Sequence, residues 1–240
     1  MSVFLRSFAL LVAFFGVALT SLLAAQAVPD PSDATLSSVE RLRALVERMK
    51  LEQAGFGTLQ AKFEQSTASN LLLEPEESTG TFFYQAPDKV RWEYDSPTSK
   101  VIIINGEHLL TWYRDLGRAE RVRVGRYSDA VFKYLGASGS LEALMEYFSL
   151  RVRFPETAKD PYRLSLEPRF ARVEKRLRGM SVTIDGGLFV PLRLAYEEPS
   201  GDSTEYRFYD FQINGILSAD HFELSVPPEV ELRVIAARGE

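Results

Sequence analysis

Ala86–Tyr113 reads APDKVRWEYDSPTSKVIIINGEHLLTWY and decides the fold of the chain. Apolar and charged side chains alternate in its first part, so Val90 and Trp92 face one side of a strand and the charged residues between them face the other. Asn105-Gly106 is a strong signal for a tight hairpin turn, which pairs the apolar run before it with the strand after it. The stretch therefore predicts three consecutive strands of an antiparallel sheet.

The sequence on both sides of this stretch continues the same pattern. Upstream, "TLQAKFEQSTAS" and "STGTFFYQ" predict two further strands, and "AERVRVG" predicts another downstream. After a helical interlude, strands resume at "LRVRF" and end with "HFELSV", residues 221–226. Most of these segments alternate, which indicates one apolar and one solvated face. Because so many successive strands must curl, we expect a mainly β (α+β) fold built on an open antiparallel half-barrel sheet.

Three short helices are predicted among the strands. Residues 31–54 have apolar side chains at helical spacing, and Ser37 with Glu40 has the spacing of a capping box at the start of this helix. The other two helices are predicted within 127–136 and 140–148. Because no other helices are expected, these three form the only available lid for the concave face of the sheet.

Residues 1–27 have the pattern of a cleaved secretory signal peptide. One positive charge at Arg6 precedes a long apolar run, which ends in the small-x-small pattern Ala25-Gln26-Ala27. The alternative is an uncleaved membrane anchor, since the run approaches the length needed to span a bilayer. The chain has no cysteine, so lipid attachment at the cleavage point is not expected. Residues 28–240 are predicted to form a single exported domain.

The residue types that support catalysis or metal binding are scarce. The only two histidines are His108, which we expect to be exposed beside a hairpin turn, and His221, which lies far from it in sequence. No cysteine nucleophile exists, and no serine lies in a nucleophile-elbow motif. The net charge of −5 argues weakly against a nucleic-acid partner. We therefore expect neither enzymatic activity nor a cofactor or metal.

Two surface features remain as candidates for binding. The chain has 16 Phe, 10 Tyr and 2 Trp, which either fill the core or line a concave apolar surface suited to a hydrophobic ligand. The basic run at 169–178 is either an ordinary solvated segment or a docking patch for an acidic partner or an anionic membrane surface. The candidate docking residues in this run are Arg172, Lys175 and Arg176.

An ordered set of short motifs resembles the LolA family of periplasmic outer-membrane lipoprotein carriers. The set comprises F-x-Q at 63–65, "GTFFY" from Gly80, "RWEY" at 91–94, "IIING" at 102–106, and the C-terminal segments "DFQING" and "FELSVPPEVEL". The similarity covers most of residues 36–235 and is strongest at 80–113.

This resemblance implies both a fold and a function. Family members are open half-barrels lidded by helices, without catalytic residues or cofactors. They receive lipoproteins from an inner-membrane ABC-type release complex, shield the acyl chains, and pass them to an outer-membrane acceptor. For this chain the resemblance implies a periplasmic carrier, expected to be a monomer. The expected lipid-binding cavity is lined by Phe63, Phe83, Val90, Trp92, Ile103, Leu110 and Trp112.

One departure from the family leaves open two alternatives to a lipoprotein carrier. Family members usually have an arginine directly before the first proline of this region, and that arginine is thought to latch the lid. Here the position is Ala86, and Arg91 points away from the face of Val90 and Trp92. The cargo is therefore either lipoproteins or another lipid or hydrophobic intermediate of a dedicated export pathway. The other alternative is a periplasmic lipid-sensing adaptor that docks through the basic run.

Overall fold

The computed structural model describes residues 28–123, 141–157 and 159–235. The described residues contain three α-helices: α1, Ser38–Ala54; α2, Leu141–Tyr147; and α3, Ala171–Glu174. Helix α1 begins with the predicted capping box, in which the Ser37 hydroxyl accepts from the Glu40 backbone N–H and the Glu40 carboxylate accepts from the Ser37 backbone N–H. None of the described helices is long and apolar enough to cross a membrane. The predicted signal peptide and the helix predicted within 127–136 lie outside the described residues.

Strands are the main secondary structure of the described chain, as the alternating sequence predicts. The strands are β1 Thr58–Ala68, β2 Glu76–Gln85, β3 Lys89–Ser96, β4 Lys100–Asn105, β5 His108–Tyr113, β6 Arg118–Arg123, β7 Phe148–Arg153, β8 Tyr162–Pro168, β9 Gly179–Ile184, β10 Pro191–Glu197, β11 Ser203–Ile213 and β12 Glu231–Ile235. Short 3₁₀ helices occupy Arg114–Leu116 and Ala219–Phe222. At the predicted hairpin between β4 and β5, Gly106 has the positive φ that such a turn requires.

All twelve strands belong to one open sheet. Their order is β12-β6-β5-β4-β3-β2-β1-β11-β10-β9-β8-β7, so β12 and β7 form its two edges. Every neighbouring pair is antiparallel except β12, which runs parallel to β6. The expectation of a mainly β fold built on a large open antiparallel sheet is confirmed.

The sheet has an apolar core on each of its two faces. We call the face that carries α1 the inner face, and its large buried cluster, which includes Phe63 and Trp92, the inner cluster. A smaller buried cluster on the opposite, outer face includes Leu110 and Phe222. It is covered by residues 217–230, which we call the C-terminal strap. The strap leads from the end of β11 to β12 at the far edge of the sheet.

Three local expectations were wrong or incomplete. The segment 221–226 is not a strand, because Ala219–Phe222 forms a 3₁₀ turn and the residues after it continue as the irregular strap. The strand β12 was not predicted, since its side chains are all exposed and give no buried alternation. Helix α3, a single turn within the basic run, was also not predicted.

Candidate functional site

Aromatic side chains dominate the centre of the inner cluster. The Trp92 ring centroid lies 4.9 Å from that of Phe63, 4.8 Å from Phe82 and 5.7 Å from Phe208. Strands β1, β2, β3 and β11 supply these residues, which are neighbours in the sheet. Gly80 makes room for the Phe63 ring opposite it, because a Cβ at Gly80 would lie 2.7 Å from Phe63 Cζ. The result is a large cluster of aromatic side chains that pack edge to face or tilted against one another.

A small polar network adjoins the aromatic cluster. The Tyr94 hydroxyl donates to Gln65 Oε1 at 2.8 Å, and the Gln65 amide donates to Thr67 Oγ1 at 3.0 Å. Burial raises the pKa of Tyr94 to about 12, and burial also raises the pKa of neighbouring Tyr206. Both phenols are therefore neutral at physiological pH. They supply hydrogen bonds without adding charge to the apolar face.

Helices α1 and α2 cover the inner cluster with a few apolar side chains. Leu45 and Met49 of α1 and Leu141 and Leu144 of α2 are all buried in the inner cluster. These contacts are apolar and non-directional.

Two arginines of α1 add directional contacts, of which Arg48 lies over the Phe189 ring at 5.7 Å and Arg41 makes the closer set. The Arg41 guanidinium donates to the carbonyl oxygens of Pro31 at 2.9 Å and of Pro155 at 3.5 Å. It also lies over the Phe154 ring, with 4.2 Å from Cζ to the ring centroid. Phe154 and Pro155 directly follow β7, so Arg41 connects the helix to one edge of the sheet.

The structure does not bring the seven predicted cavity residues together. Phe63, Val90 and Trp92 belong to the inner cluster. The other four lie on the outer face, in or against the cluster under the strap: Phe83, Ile103, Leu110 and Trp112. The expectation of one cavity lined by all seven is therefore wrong. Residues opposite each other in register share a face, and Phe83 lies opposite Arg91 rather than opposite Val90 or Trp92.

The strap is attached to the outer face by three side-chain hydrogen bonds. Arg91 donates to the His221 carbonyl at 2.8 Å, Asn105 donates to the Phe222 carbonyl at 3.1 Å, and Arg121 donates to the Leu224 carbonyl. Arg91 also pairs with Glu93. As predicted, Arg91 thus points away from the face of Trp92, and its role is to hold the strap.

The remaining predicted positions lie at the surface. Ala86 is exposed at the end of β2, and its backbone N–H donates to the Gly57 carbonyl at 2.9 Å. His108 is exposed, as expected. Arg172, Lys175 and Arg176 are exposed in and after α3. In the part of the chain that the structure describes, no group of three or more His, Cys, Asp or Glu residues is placed to hold a metal ion.

The arrangement of motifs on this sheet has a match among known families. Residues 54–225 match the family described as outer membrane lipoprotein carrier protein LolA. The chain belongs to the LolA family. Among curated relatives of this LolA-family chain is the outer-membrane lipoprotein carrier protein of Alkalilimnicola ehrlichii, 31% identical over 176 residues that cover 72% of this chain and 75% of the relative. That of Chromohalobacter salexigens is 26% identical over 211 residues, 84% of this chain and 89% of the relative.

A solved structure shows the same fold at low sequence identity. The crystal structure of an uncharacterized conserved protein from Thermus thermophilus superposes with a TM-score of 0.52 and 11% identity. The match covers 81% of this LolA-family chain and 99% of that chain. At this identity the similarity shows the architecture alone.

Sequence reasoning missed several residues of the inner cluster. Phe82, Tyr206 and Phe208 contact Trp92 in the structure but were not predicted to share its site. The alternation in "STEYRFYDF" places Tyr206 and Phe208 on one face, and this signal was sufficient to find them. Phe82 and Phe83 are adjacent, so the sequence "TFFYQ" did not reveal which of them faces inward.

Proposed function

We propose that this protein is a periplasmic carrier that shields the acyl chains of lipoproteins on its inner face. The observation that carries the proposal is the aromatic centre of the inner cluster, which lies on an open sheet and, among the described residues, is covered by helices α1 and α2. Membership of the LolA family and relatives named as outer-membrane lipoprotein carriers support the same function. The chain takes lipoproteins from a release complex in the inner membrane and delivers them to an acceptor at the outer membrane.

The energetics favour replacement of the helices by acyl chains. Each buried CH₂ group is worth about 0.8 kcal/mol, so an acyl chain of ordinary length gains on the order of 10 kcal/mol by leaving water. Full burial of one leucine or methionine side chain is worth about 1.5–3 kcal/mol. The four buried leucine and methionine side chains of α1 and α2 together give up about 6–12 kcal/mol, which is less than an anchor of two or more acyl chains gains, so the helices can move aside without unfolding the sheet.

Arg41 takes the place of the latch that Ala86 cannot provide. Its bond to the Pro155 carbonyl and its contact with Phe154 hold α1 over the inner face when no cargo is bound. The bond to the Pro155 carbonyl is long, at 3.5 Å, and therefore weak enough for cargo binding to break it. The closed form is thereby stable in water and still opens for a lipid.

A photoreactive cargo tests this assignment. We expect a triacylated lipopeptide with a diazirine in one acyl chain to cross-link to the inner cluster, at Phe82, Trp92 or Phe208. Residue-level mass spectrometry separates these from the outer-face residues Phe83 and Leu110. Cross-links confined to the outer face, or none above the level of an unfolded control, would contradict the proposal.

Analysis of the bound cargo decides between lipoproteins and other lipids. The exported chain is purified from the periplasm and examined for co-purifying molecules by lipid mass spectrometry and proteomics. Lipoproteins near one equivalent agree with the carrier function. A different lipid near one equivalent would instead support the alternative, in which the protein carries another lipid or hydrophobic intermediate.

A further inference from the structure

Three consecutive leucines are exposed at the tip of the β1–β2 hairpin. Leu71 and Leu73 have exposed fractions of 93% and 106%, and Leu72 is 44% exposed. Loop tips are ordinarily polar, and a contiguous exposed apolar group in a water-soluble domain marks an interaction site. We call Leu71–Leu73 the leucine tip.

The base of this hairpin is held by the neighbouring turn between β10 and β11. The Asn70 amide donates to the Ser200 carbonyl at 3.3 Å, and Ser69 donates a side-chain hydrogen bond to the Asp202 carboxylate. Within the loop, the Leu72 backbone N–H donates to the Ser69 carbonyl at 3.0 Å. The backbone beneath the leucines is thus fixed by bonds that do not use the leucine side chains. A fixed display of apolar groups lowers the entropy lost on binding.

Most of the charges around the leucine tip are negative, and the exception in the turn at its base is Arg178, which donates to the Pro199 carbonyl at 3.3 Å. Glu74, Glu76 and Glu77 follow it, and Glu198 and Asp202 lie in the turn that holds its base. Segments 69–77 and 198–202 contain no lysine or arginine. Lys100, which interacts electrostatically with Glu76, lies over the Tyr94 ring of the inner cluster, with 4.0 Å from Nζ to the ring centroid. The leucines therefore project from an acidic collar.

We propose that the leucine tip is a docking element that inserts into an apolar pocket with a basic rim on a protein partner. A bilayer with anionic lipids would attract the leucines and repel the acidic collar, whereas a pocket with lysine and arginine at its rim satisfies both. Buried apolar anchors surrounded by complementary charges are the usual anatomy of a protein interface. This inference does not depend on lipid carriage, because the tip lies outside the inner cluster.

Photo-crosslinking in cells tests the proposal at residue level. The full chain carries p-benzoylphenylalanine at position 71, 73 or 188, where Leu188 is a 48% exposed leucine in the β9–β10 turn at the other end of the strands. We expect one discrete protein adduct from positions 71 and 73 and none from 188. The double variant Glu74→Lys, Glu76→Lys should lose this adduct, and Glu74→Gln, Glu76→Gln should weaken it less.

The identified partner is then purified and titrated with the carrier. We expect Leu71→Ser with Leu73→Ser to weaken binding roughly tenfold or more, as for interface anchors, and Leu188→Ser to leave it unchanged. Uptake of the photoreactive lipopeptide should be equal in all three proteins, so a failure of docking is distinguishable from a failure of lipid binding.

Four results would overturn the proposal. These are no adduct from positions 71 and 73, an equal adduct from position 188, an adduct with the lipoprotein cargo, and an adduct with phospholipid. Flotation with vesicles of phosphatidylglycerol and phosphatidylethanolamine adds a direct test of the membrane alternative. Flotation that requires Leu71 and Leu73 would make the tip a membrane anchor instead.

Discussion

The inner cluster and the cluster under the C-terminal strap are both apolar, but their covers are attached in different ways. Helices α1 and α2 cover the inner cluster mainly by apolar contacts, to which Arg41 adds its bonds. The strap covers the outer cluster with Phe222, and side chains of β3, β4 and β6 hold its backbone carbonyls. A lipid reproduces apolar contacts, but it does not reproduce a hydrogen-bonded peptide backbone. We therefore propose that the inner cover is exchangeable for acyl chains and that the outer cover stays in place.

The largest expected effect comes from a pair of substitutions, one in each cluster, that should cost similar stability but differ in their effect on lipid binding. Trp92→Ala in the inner cluster and Phe222→Ala in the strap should each lower the free energy of unfolding by about 3–5 kcal/mol, because each leaves a cavity in a buried aromatic site. Only Trp92→Ala should weaken lipopeptide binding. Urea denaturation and a lipopeptide titration measure the two quantities. Equal loss of lipid binding in both variants would remove the functional distinction between the clusters.

The second test concerns the permanence of the strap. Arg91→Met removes the bond to the His221 carbonyl and one of the two arginine partners of Glu93, and we expect a loss of about 1.5–3 kcal/mol. Hydrogen exchange should accelerate in residues 217–226 and remain unchanged in α1. The matched control is Arg123→Met, which breaks an exposed ion pair with Glu107 and should cost about 0–1 kcal/mol. Unchanged exchange in the Arg91 variant would show that apolar burial alone holds the strap.

A smaller effect is expected from loss of the Arg41 contacts that connect α1 to the segment after β7. Arg41→Met should destabilise the closed position of α1 by about 1 kcal/mol, since it removes hydrogen bonds to the Pro31 and Pro155 carbonyls. We expect faster hydrogen exchange in α1 and faster lipopeptide uptake, measured by stopped-flow fluorescence. Arg43→Met, at an exposed position of the same helix, is the control. Slower uptake in the Arg41 variant would contradict a latch.

The smallest expected effect is a pH dependence confined to the strap. Burial lowers the pKa of His221 below its ordinary value of 6.5, and the positive charge of Arg91 lowers it further, against weaker opposing effects of Glu93 and Asp220. Below pH 6.5 the unfolded strap therefore binds more protons than the folded one, so its stability is complete above this pH and decreases as the pH falls. NMR titration of His221 in native protein and in urea tests the order of the two pKa values. A native value above the unfolded one would reverse the prediction.

The sequence predicted the architecture well because alternation is a strong signal in strands with one apolar face. It predicted β3 and its neighbours, the Asn105-Gly106 hairpin and the capping box of α1, each of which depends on local chemistry. Prediction of the candidate site failed where strands are apolar on both faces. In β4, Val101 and Ile103 face the strap, whereas Ile104 belongs to the inner cluster. A continuous apolar run does not indicate which side chains share a face with Trp92.

The path of the strap was not predicted because the contacts that fix it come from residues distant in sequence. Residues 221–226 have the composition of a strand, yet their backbone carbonyls accept hydrogen bonds from side chains more than a hundred residues earlier in the chain. Similarly, Arg41 was predicted only as part of a helix, since its contact with Phe154 depends on the packing of α1 against the edge of the sheet. Long-range pairing of this kind carries no signature in a sequence window.

The position of β12 also determines which parts of the sheet can be completed only late in folding. The contacts between the strap and the sheet join residues 103 to 130 positions apart, and β12 completes the edge that β6 would otherwise expose. During synthesis, that edge and the apolar outer side of β4 and β5 remain uncovered until residues 217–235 have been released. Contacts of such high order form late and leave an aggregation-prone intermediate. Folding that is completed only after residues 217–235 have been synthesised is therefore the safe route for this chain.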